Sequence, residues 1–472
     1  MRHLSKLASI STLALALAAC REPPTTSPED AVNSPTTAPQ DGQVAAATAQ
    51  ARTDFARVVQ SYAAARADGA VRGDECERVA GEFSQVYKAH GAAMAIAQFN
   101  AGVVWEECGQ ADKAEAIYTG LLGAVPQFDL PYNNLGVLYW KRGQDAKALD
   151  MFKKGVEANK RQARAARNNV AGLLRDKYVG SADVGVFNEV ETALQTVLAL
   201  DSGNKAAYEN LARIYYDRGH SKDKSYLVLA NLVVSQGMRV LSGDDKKSAD
   251  LYNLQGLLLL ERDDQVNALK IFKEAVGVEP NHVEANLNIG FISIRFRDYA
   301  TAEKAFQTAL KAPAQQKNLE VWLAIGVAQR GLKKFKGAEA SYNRALKLNA
   351  SDPRAYYNLG VLYQDHLAVQ DDVTLEGSQQ LGAVARKYYL TFAEKAGKTK
   401  AYAISVLESQ DRVATLEQNV EVYKETKALE EKVEKLKREQ ELADAAELKR
   451  LMAAEKQALA DEAGAAAPAP AP

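Results

Sequence analysis

Few side chains of this sequence have the types and spacing that catalysis needs. Past the first twenty residues, the histidines are His90, His220, His282 and His366. They lie far apart in sequence and show no metal-ligand spacing. The segment from Gly219 to Ser225 is weakly similar to a phosphate-binding loop but lacks the second glycine before its lysine, and neither a nucleophile elbow nor a dinucleotide-binding fingerprint is present. We therefore predict that the protein is not an enzyme and uses no cofactor, metal or small-molecule substrate.

The first cysteine follows a segment typical of bacterial export. Arg2 and Lys6 precede an apolar run of 13 residues that ends at Ala19, which is too short to span a bilayer. The end of this run, Leu-Ala-Ala-Cys, resembles the lipobox of bacterial lipoproteins. That resemblance implies that residues 1–19 are removed as a signal peptide and that Cys20 carries acyl chains such as palmitate. Soluble secretion with an incidental Cys20 is the alternative.

The residues after Cys20 predict where the protein is anchored and how far it extends. Arg21 occupies the position of the retention aspartate of enteric lipoproteins, which implies the outer membrane, facing the periplasm. Residues 20–50 are rich in Pro, Thr, Ser and Ala and contain no aromatic residue, so they cannot form a core. We expect a lipidated, disordered tether with a reach of roughly 30 Å.

The other two cysteines, Cys76 and Cys108, form an even pair for an oxidising compartment. Cys76 lies near the start of one predicted helix and Cys108 near the end of the next, with the turn near Gly91 almost midway between them. Antiparallel helices would bring the two together, and a disulfide would contribute about 3 kcal/mol. Two unpaired buried thiols are the alternative.

The main signal is an internal repeat. The hexapeptide Asn-Leu-Gly-Val-Leu-Tyr at residues 134–139 recurs at residues 358–363. A small residue recurs at intervals of 34 to 44 residues, at Gly102, Gly136, Ala171, Ala212, Gly256, Gly290, Gly326 and Gly360. Recurrence at this period predicts about eight helix-turn-helix units.

Within a unit, the pattern resembles the tetratricopeptide repeat. The best match is formed by Tyr132, Leu135, Gly136, Tyr139, Ala148 and Phe152. The small residues let two helices approach and the aromatic residue fills the space between them, although the third unit shows no clear aromatic in its second helix. The resemblance implies an all-α solenoid, a right-handed superhelix. We predict an N-terminal helical cap at 54–96 and an array at 97–397.

A long charged helix is predicted at residues 398–463, because no Gly or Pro occurs there. Val413, Leu416, Val420 and Tyr423 keep a spacing of three and four residues, but Lys427 and Glu430 break it. The first half is therefore expected to cap the last repeat, and a sustained coiled coil is not predicted. Residues 464–472 are expected to be a disordered Ala and Pro tail.

Two surface features could bind a partner. Six units carry an asparagine two residues before the small residue, at Asn100, Asn134, Asn169, Asn210, Asn288 and Asn358. The resemblance to tetratricopeptide solenoids implies that this position faces a concave groove, where the amides bind a peptide backbone. The alternative is that asparagine is only the consensus residue of the repeat. The second feature is a basic run between Lys153 and Lys177, with its centre at Lys160, Arg161, Arg164 and Arg167. It could meet an acidic protein surface or lipid phosphates, or be a solvated helix face.

The net charge of −1 excludes a generic nucleic-acid binder. Repeats that contact only their neighbours expose a long surface for other proteins. The whole layout resembles tetratricopeptide lipoproteins of the adventurous gliding-motility machinery of myxobacteria, which implies a scaffold in an envelope complex with membrane contact through the lipid anchor only. The alternatives are a pilotin-like lipoprotein that assists assembly of an outer-membrane secretin or barrel, and a cell-wall enzyme or its regulatory subunit.

Overall fold

The computed structural model describes residues 47–67, 69–161, 163–243, 246–397 and 399–465. The predicted signal peptide, Cys20, most of the tether and nearly all of the tail lie outside these residues. The described residues fall into two compact units, which we call the N-terminal unit (47–292) and the C-terminal unit (293–465). No strand occurs in the described ranges.

The N-terminal unit is a succession of antiparallel helical hairpins. Its helices are α1 (Ala49–Ala65), α2 (Asp74–His90), α3 (Ala95–Glu107), α4 (Ala111–Ala124), α5 (Asp129–Lys141), α6 (Asp145–Ala158), α7 (Arg164–Ser181), α8 (Val184–Leu200), α9 (Lys205–Ser221), α10 (Ser225–Val240), α11 (Ala249–Leu260), α12 (Gln265–Val278) and most of α13 (Val283–Arg295). The cap hairpin begins at Ala49, five residues before the predicted start.

The C-terminal unit contains the end of α13 and six further helices. These are α14 (Tyr299–Ala309), α15 (Leu319–Gly331), α16 (Phe335–Leu348), α17 (Pro353–Leu362), α18 (Leu375–Ala396) and α19 (Ala403–Ala465). The predicted all-α hairpin repeats with a long C-terminal helix are therefore confirmed.

Polar side chains cap the N-termini of many of these helices. The side chains of Asn204, Ser248 and Asp264 accept hydrogen bonds from the backbone N–H groups of the first turns of α9, α11 and α12. Such caps satisfy donors that have no partner within the helix and contribute about 1 kcal/mol each. Local sequence thus fixes where these helices start.

The two helices of a hairpin pack through a glycine against a buried ring. A Cβ atom on Gly256 would lie 2.5 Å from Phe272, and one on Gly360 would lie 2.6 Å from Tyr389. The same close approach joins Gly102 to Tyr118, Gly136 to Phe152 and Gly326 to Tyr342. Each of these rings is fully buried. The repeated small residue is therefore required by the close approach of the helices.

The expectation that the third unit lacks an aromatic residue in its second helix is wrong. Phe187 on α8 is fully buried and lies sixteen residues after Ala171, the same offset as from Gly136 to Phe152. Its ring centroid is 5.5 Å from that of Tyr178 and 5.3 Å from that of Tyr226. Phe187 stands near the start of its helix, where helix periodicity in the sequence is weakest.

The last hairpin contains an insertion. A π-helical turn, Tyr363–Leu367, follows α17, and α18 begins at Leu375. The hydroxyl of Thr374 accepts a hydrogen bond from the N–H of Gly377 and caps α18. Residues 363–374 therefore separate the two helices of this hairpin.

The first part of α19 packs on this last hairpin. Ser405, Ser409 and Leu416 are buried, and Arg412 donates hydrogen bonds to Asp365 and Gln364 on the π-helical turn. Arg386 of α18 also pairs with Glu417. Within the described residues, no helix is both long enough and apolar enough to cross a membrane.

Candidate protein-binding surface

The asparagines predicted to line a peptide groove are mostly inside the protein. Asn100, Asn134 and Asn169 are at most 1% exposed, and Asn288 is 6% exposed. Asn210 and Asn358 are half-buried, and the Asn358 amide donates to the Arg354 carbonyl of its own helix. The prediction that these six amides bind a peptide is therefore wrong for the four buried ones, because neighbouring hairpins pack over them.

Two of the four buried amides instead join successive repeats, whereas both polar side-chain atoms of Asn100 are buried without a hydrogen-bond partner. The Nδ2 atom of Asn169 donates to Oδ1 of Asn133 at 2.8 Å. In the same way, Asn288 donates to Asn253 at 3.1 Å. A buried amide needs a hydrogen-bond partner, and these pairs supply one between the first helices of adjacent hairpins. The amides of Asn169 and Asn288 therefore stabilise the stacking of their repeats.

Asn134 belongs to a different local network. Its Nδ2 atom donates to the Tyr118 hydroxyl at 3.1 Å and to Oε1 of Glu106 at 3.2 Å, and the Tyr118 hydroxyl donates to Glu106 at 2.6 Å. Burial raises the pKa of Glu106 despite these donors. This network fixes the ring that fills the α3/α4 hairpin.

A largely buried charged cluster, which no sequence pattern revealed, lies on and beside the first helices of the central hairpins. We define it as Arg175, Arg213, Asp217, Asp250, His282 and Glu284. Arg175 pairs with Asp217 at 2.8 Å, Arg213 pairs with Glu284, and His282 lies 3.4 Å from Asp250. Asn253 also donates to Glu284 at 2.7 Å. Ion pairs therefore join α7 to α9 and α9 to α13, and the contacts of Asp250 and Asn253 connect α11 to the same cluster.

Charge compensation sets the protonation states in this cluster. Burial opposes the charge of Glu284, but attraction by Arg213 and its hydrogen bond outweigh burial, so the pKa of Glu284 lies below its ordinary value. Burial also lowers the pKa of His282, but the hydrogen bond to Asp250 and nearby carboxylates raise this pKa above its ordinary value. One nitrogen of Arg213, Nη1, is buried without a hydrogen-bond partner. Each carboxylate of the cluster therefore lies beside a basic side chain.

Only part of this cluster had a visible signal in the sequence. Arg213 and Asp217 are four residues apart on α9. Arg213 follows Ala212, the small residue of this repeat, so this part of the helix is expected to be buried. Glu284 is 71 residues from Arg213, and no sequence pattern joins the two.

The predicted basic run is largely neutralised by neighbouring acids. Lys160 pairs with Glu157 at 2.9 Å and Arg164 with Asp201 at 3.4 Å. Arg167 donates to the backbone carbonyl of Lys160, whereas Arg161 is exposed. Two further pairs reach the next hairpin, from Lys153 to Glu189 and from Arg175 to Asp217. These pairs favour a solvated helix face over a site for an acidic protein surface or lipid phosphates.

The histidines do not converge on one site. His90, His220 and His282 each face one carboxylate, those of Asp54, Glu261 and Asp250 respectively. The fourth, His366, lies against the ring of Phe335. Across the described ranges, no group of three or more His, Cys, Asp or Glu side chains could hold a metal ion.

Cys76 and Cys108 are joined by a disulfide in the structure. Their Cα atoms are 6.2 Å apart, and the bond links the start of α2 to the end of α3. It lies in a core formed with Val58, Phe83 and Val104. The bond therefore ties the cap hairpin to the first repeat.

Replacing both cysteines, Cys76→Ser with Cys108→Ser, is expected to lower the free energy of unfolding of α1 to α3 by about 3 kcal/mol, because the unfolded chain is no longer constrained. Hydrogen exchange of peptides from α1 to α3 measures this effect. A reducing agent should mimic the change in the wild type and have no effect on the double variant. Unchanged exchange on reduction of the wild type would refute this prediction.

The C-terminal unit carries one concave feature beside its long helix. A cleft of about 380 Å³ lies between the π-helical turn, α18 and α19. Leu416 and Val420 form an apolar part of its lining, and Arg386 and Glu417 are charged lining residues.

Comparison with known proteins shows which repeat this is. A tetratricopeptide-repeat model matches residues 131–162, and a second TPR-repeat model matches residues 326–366. BBSome complex member BBS4 of Bos taurus is 24% identical over 265 residues, which cover 56% of this chain and 47% of that protein. Protein O-mannosyl-transferase TMTC1 of Homo sapiens is 22% identical over 231 residues, which cover 48% of this chain and 24% of that protein. The chain thus spans less than half the length of these two curated relatives.

One solved structure is similar over part of the chain. TTC0263, a TPR protein of Thermus thermophilus, has 19% identity and a TM-score of 0.35, and the match covers 42% of this chain and 98% of that one. The chain therefore contains tetratricopeptide repeats at residues 131–162 and 326–366, and further hairpins share the same glycine-to-aromatic contact.

Proposed function

We propose that this protein is a lipid-anchored periplasmic scaffold that binds other proteins in an envelope complex of the gliding-motility type. The single observation that carries the scaffold function is the array of tetratricopeptide hairpins, matched at residues 131–162 and 326–366. Repeats of this type are typical of protein–protein interaction scaffolds. Each repeat contacts its neighbours and leaves an extended surface for partners.

The anchor follows from the N-terminal sequence. Cys20 stands directly after an apolar run and before a tether that is rich in proline and threonine. Acyl chains on Cys20 would hold the chain at the outer membrane, since two or more chains give stable attachment. The tether would keep the repeats clear of the lipid surface and accessible to periplasmic proteins.

The anchor is tested with Cys20→Ala. We expect this variant to move from the membrane fraction to the soluble periplasmic fraction and to lose incorporation of labelled palmitate. The matched control is Cys76→Ser with Cys108→Ser, which removes the other two cysteines and should stay in the membrane fraction. A Cys20→Ala protein that remained membrane-bound would refute the lipid anchor.

The cellular role is tested by deleting the gene in its own host and crosslinking the intact wild type. Loss of single-cell gliding with intact pili, together with crosslinks to envelope proteins, is the expected result. Normal gliding combined with a missing secretin or barrel would instead indicate an assembly lipoprotein. A change in cell-wall composition alone would indicate a cell-wall enzyme or its subunit.

A further inference from the structure

The far part of α19 is a helix without a neighbour. Every residue from 424 to 460 is exposed, which corresponds to a rod of about 55 Å at 1.5 Å per residue. Large aliphatic side chains nevertheless recur along it: Val422, Leu429, Val433 and Leu436 are 54%, 63%, 45% and 55% exposed. Aliphatic side chains exposed in a row indicate a contact surface.

These side chains have the spacing of a coiled-coil seam. Steps of four and three residues alternate along Val422, Thr426, Leu429, Val433, Leu436, Gln440 and Ala443. The apolar stripe that packs on the last hairpin contains Val413 and Leu416. Its spacing continues to Tyr423, one residue after Val422 of the seam. The seam is therefore turned by about 100° from the packed stripe, which is why the sequence pattern breaks at Lys427. We call the exposed residues 422–443 the seam segment.

We propose that the seam segment pairs with the seam segment of a second copy of this chain as an antiparallel two-stranded coiled coil. Charges beside the seam decide the direction, because these positions face each other across a helix pair. In a parallel pair, Glu425 would face Glu430, Lys432 would face Lys437, and Glu439 would face Asp444 of the second copy. All three pairs carry like charges, so the parallel arrangement is disfavoured.

An antiparallel register removes this repulsion. With Val433 packed against Leu436 of the second copy, Lys432 faces Glu439 and Glu430 faces Lys437. Two-fold symmetry repeats both pairs, which gives four attractive contacts. Thr426 then packs against Ala443, and Leu429 against Gln440. In the single chain, Glu439 lies 4.0 Å from exposed Lys435, a weak surface pair that leaves Glu439 available.

The seam contains only about three heptads and a polar Gln440, so the dimer forms reversibly with concentration. The pairing needs no other protein and does not depend on the lipid anchor. Purified full-length protein with Cys20→Ser is therefore suitable, since Cys20 is the one cysteine outside the Cys76–Cys108 disulfide.

Disulfide crosslinking tests the direction. Thr426→Cys and Ala443→Cys are made separately in the Cys20→Ser chain and oxidised mildly, either alone or mixed. The antiparallel pair predicts a crosslinked dimer in the mixture, joined between positions 426 and 443, and little crosslinking of either variant alone. Crosslinking of each variant with itself would show a parallel pair and overturn the proposal, and so would no crosslinking at all.

Charge reversal tests the register by sedimentation equilibrium. Lys432→Glu should raise the dimer dissociation constant about tenfold, because two attractive pairs become repulsive. Lys432→Glu with Glu439→Lys should restore dimerisation. Glu431→Lys, on the face opposite the seam, is the matched control and should change little. A monomer at about 100 µM, or tighter pairing by Lys432→Glu alone, would overturn the proposal.

Discussion

Arg213→Met is expected to destabilise the N-terminal unit by about 3–5 kcal/mol, because it leaves the Glu284 carboxylate buried without its cation. Arg213 is 4% exposed and pairs with Glu284, and the remaining donor on that carboxylate is Asn253. Hydrogen exchange of peptides from α9 and α13, together with urea unfolding, measures the loss.

A second substitution separates the charge effect from lost packing. Glu284→Gln in the Arg213→Met background removes the uncompensated charge, so most of the lost stability should return. Lowering the pH should also reduce the penalty of Arg213→Met alone, because the pKa of Glu284 rises once Arg213 is gone and the carboxyl group becomes protonated. Arg438→Met, in the exposed pair with Glu434, is the control and should cost at most about 0.5 kcal/mol. Equal costs for Arg213→Met with and without Glu284→Gln would contradict the role of this pair.

Phe272→Ala is expected to cost about 3–5 kcal/mol, because the ring is fully buried between α11 and α12 and its removal leaves a cavity. The ring packs directly against Gly256. Gly256→Ala in the wild type should itself cost about 1–3 kcal/mol, since the added methyl group overlaps the ring. Urea unfolding and hydrogen exchange of α11 and α12 measure both changes.

The effect of Gly256→Ala on the free energy of unfolding should change sign when Phe272 is also replaced by alanine. Once Phe272 is alanine, the methyl group added at Gly256 has space, and alanine favours helix by about 1 kcal/mol over glycine. Gly256→Ala should therefore stabilise the Phe272→Ala protein. Gly277→Ala on α12 meets open space and is the control, since it should stabilise both backgrounds. A Gly256→Ala cost that persisted without the ring would show that the glycine has another role.

Much of the fold could be predicted because its contacts are local in sequence. Gly136 and Phe152 are sixteen residues apart, so the two helices of one hairpin carry the whole pattern within a short window. Phe187 was missed at the same offset, since it lies at the start of α8. The same locality allowed the positions of Cys76 and Cys108 to be placed on neighbouring antiparallel helices.

The candidate binding residues were much less predictable. The sequence predicts that Asn169 faces a partner. Instead, the neighbouring hairpin covers it and Asn133 accepts its hydrogen bond. Arg164 and Arg175 belong to the basic run, but Asp201 and Asp217, which lie later in the chain, pair with them. Periodicity specifies which residues share a helix face and leaves open how deeply the adjacent repeat buries that face.

The sequence by itself determined the number and approximate bounds of the hairpins, the small residue and ring that pack each one, and the long C-terminal helix. These features depend on contacts within some thirty residues and on the periodicity of a single helix. Only the tertiary structure decided that the amides are buried, that Arg213 meets Glu284, and that the exposed stripe of α19 is turned away from its packed stripe. These features depend on the rotation and stacking of one helix against another, which is set by side-chain packing between repeats and leaves no periodic signal in the chain.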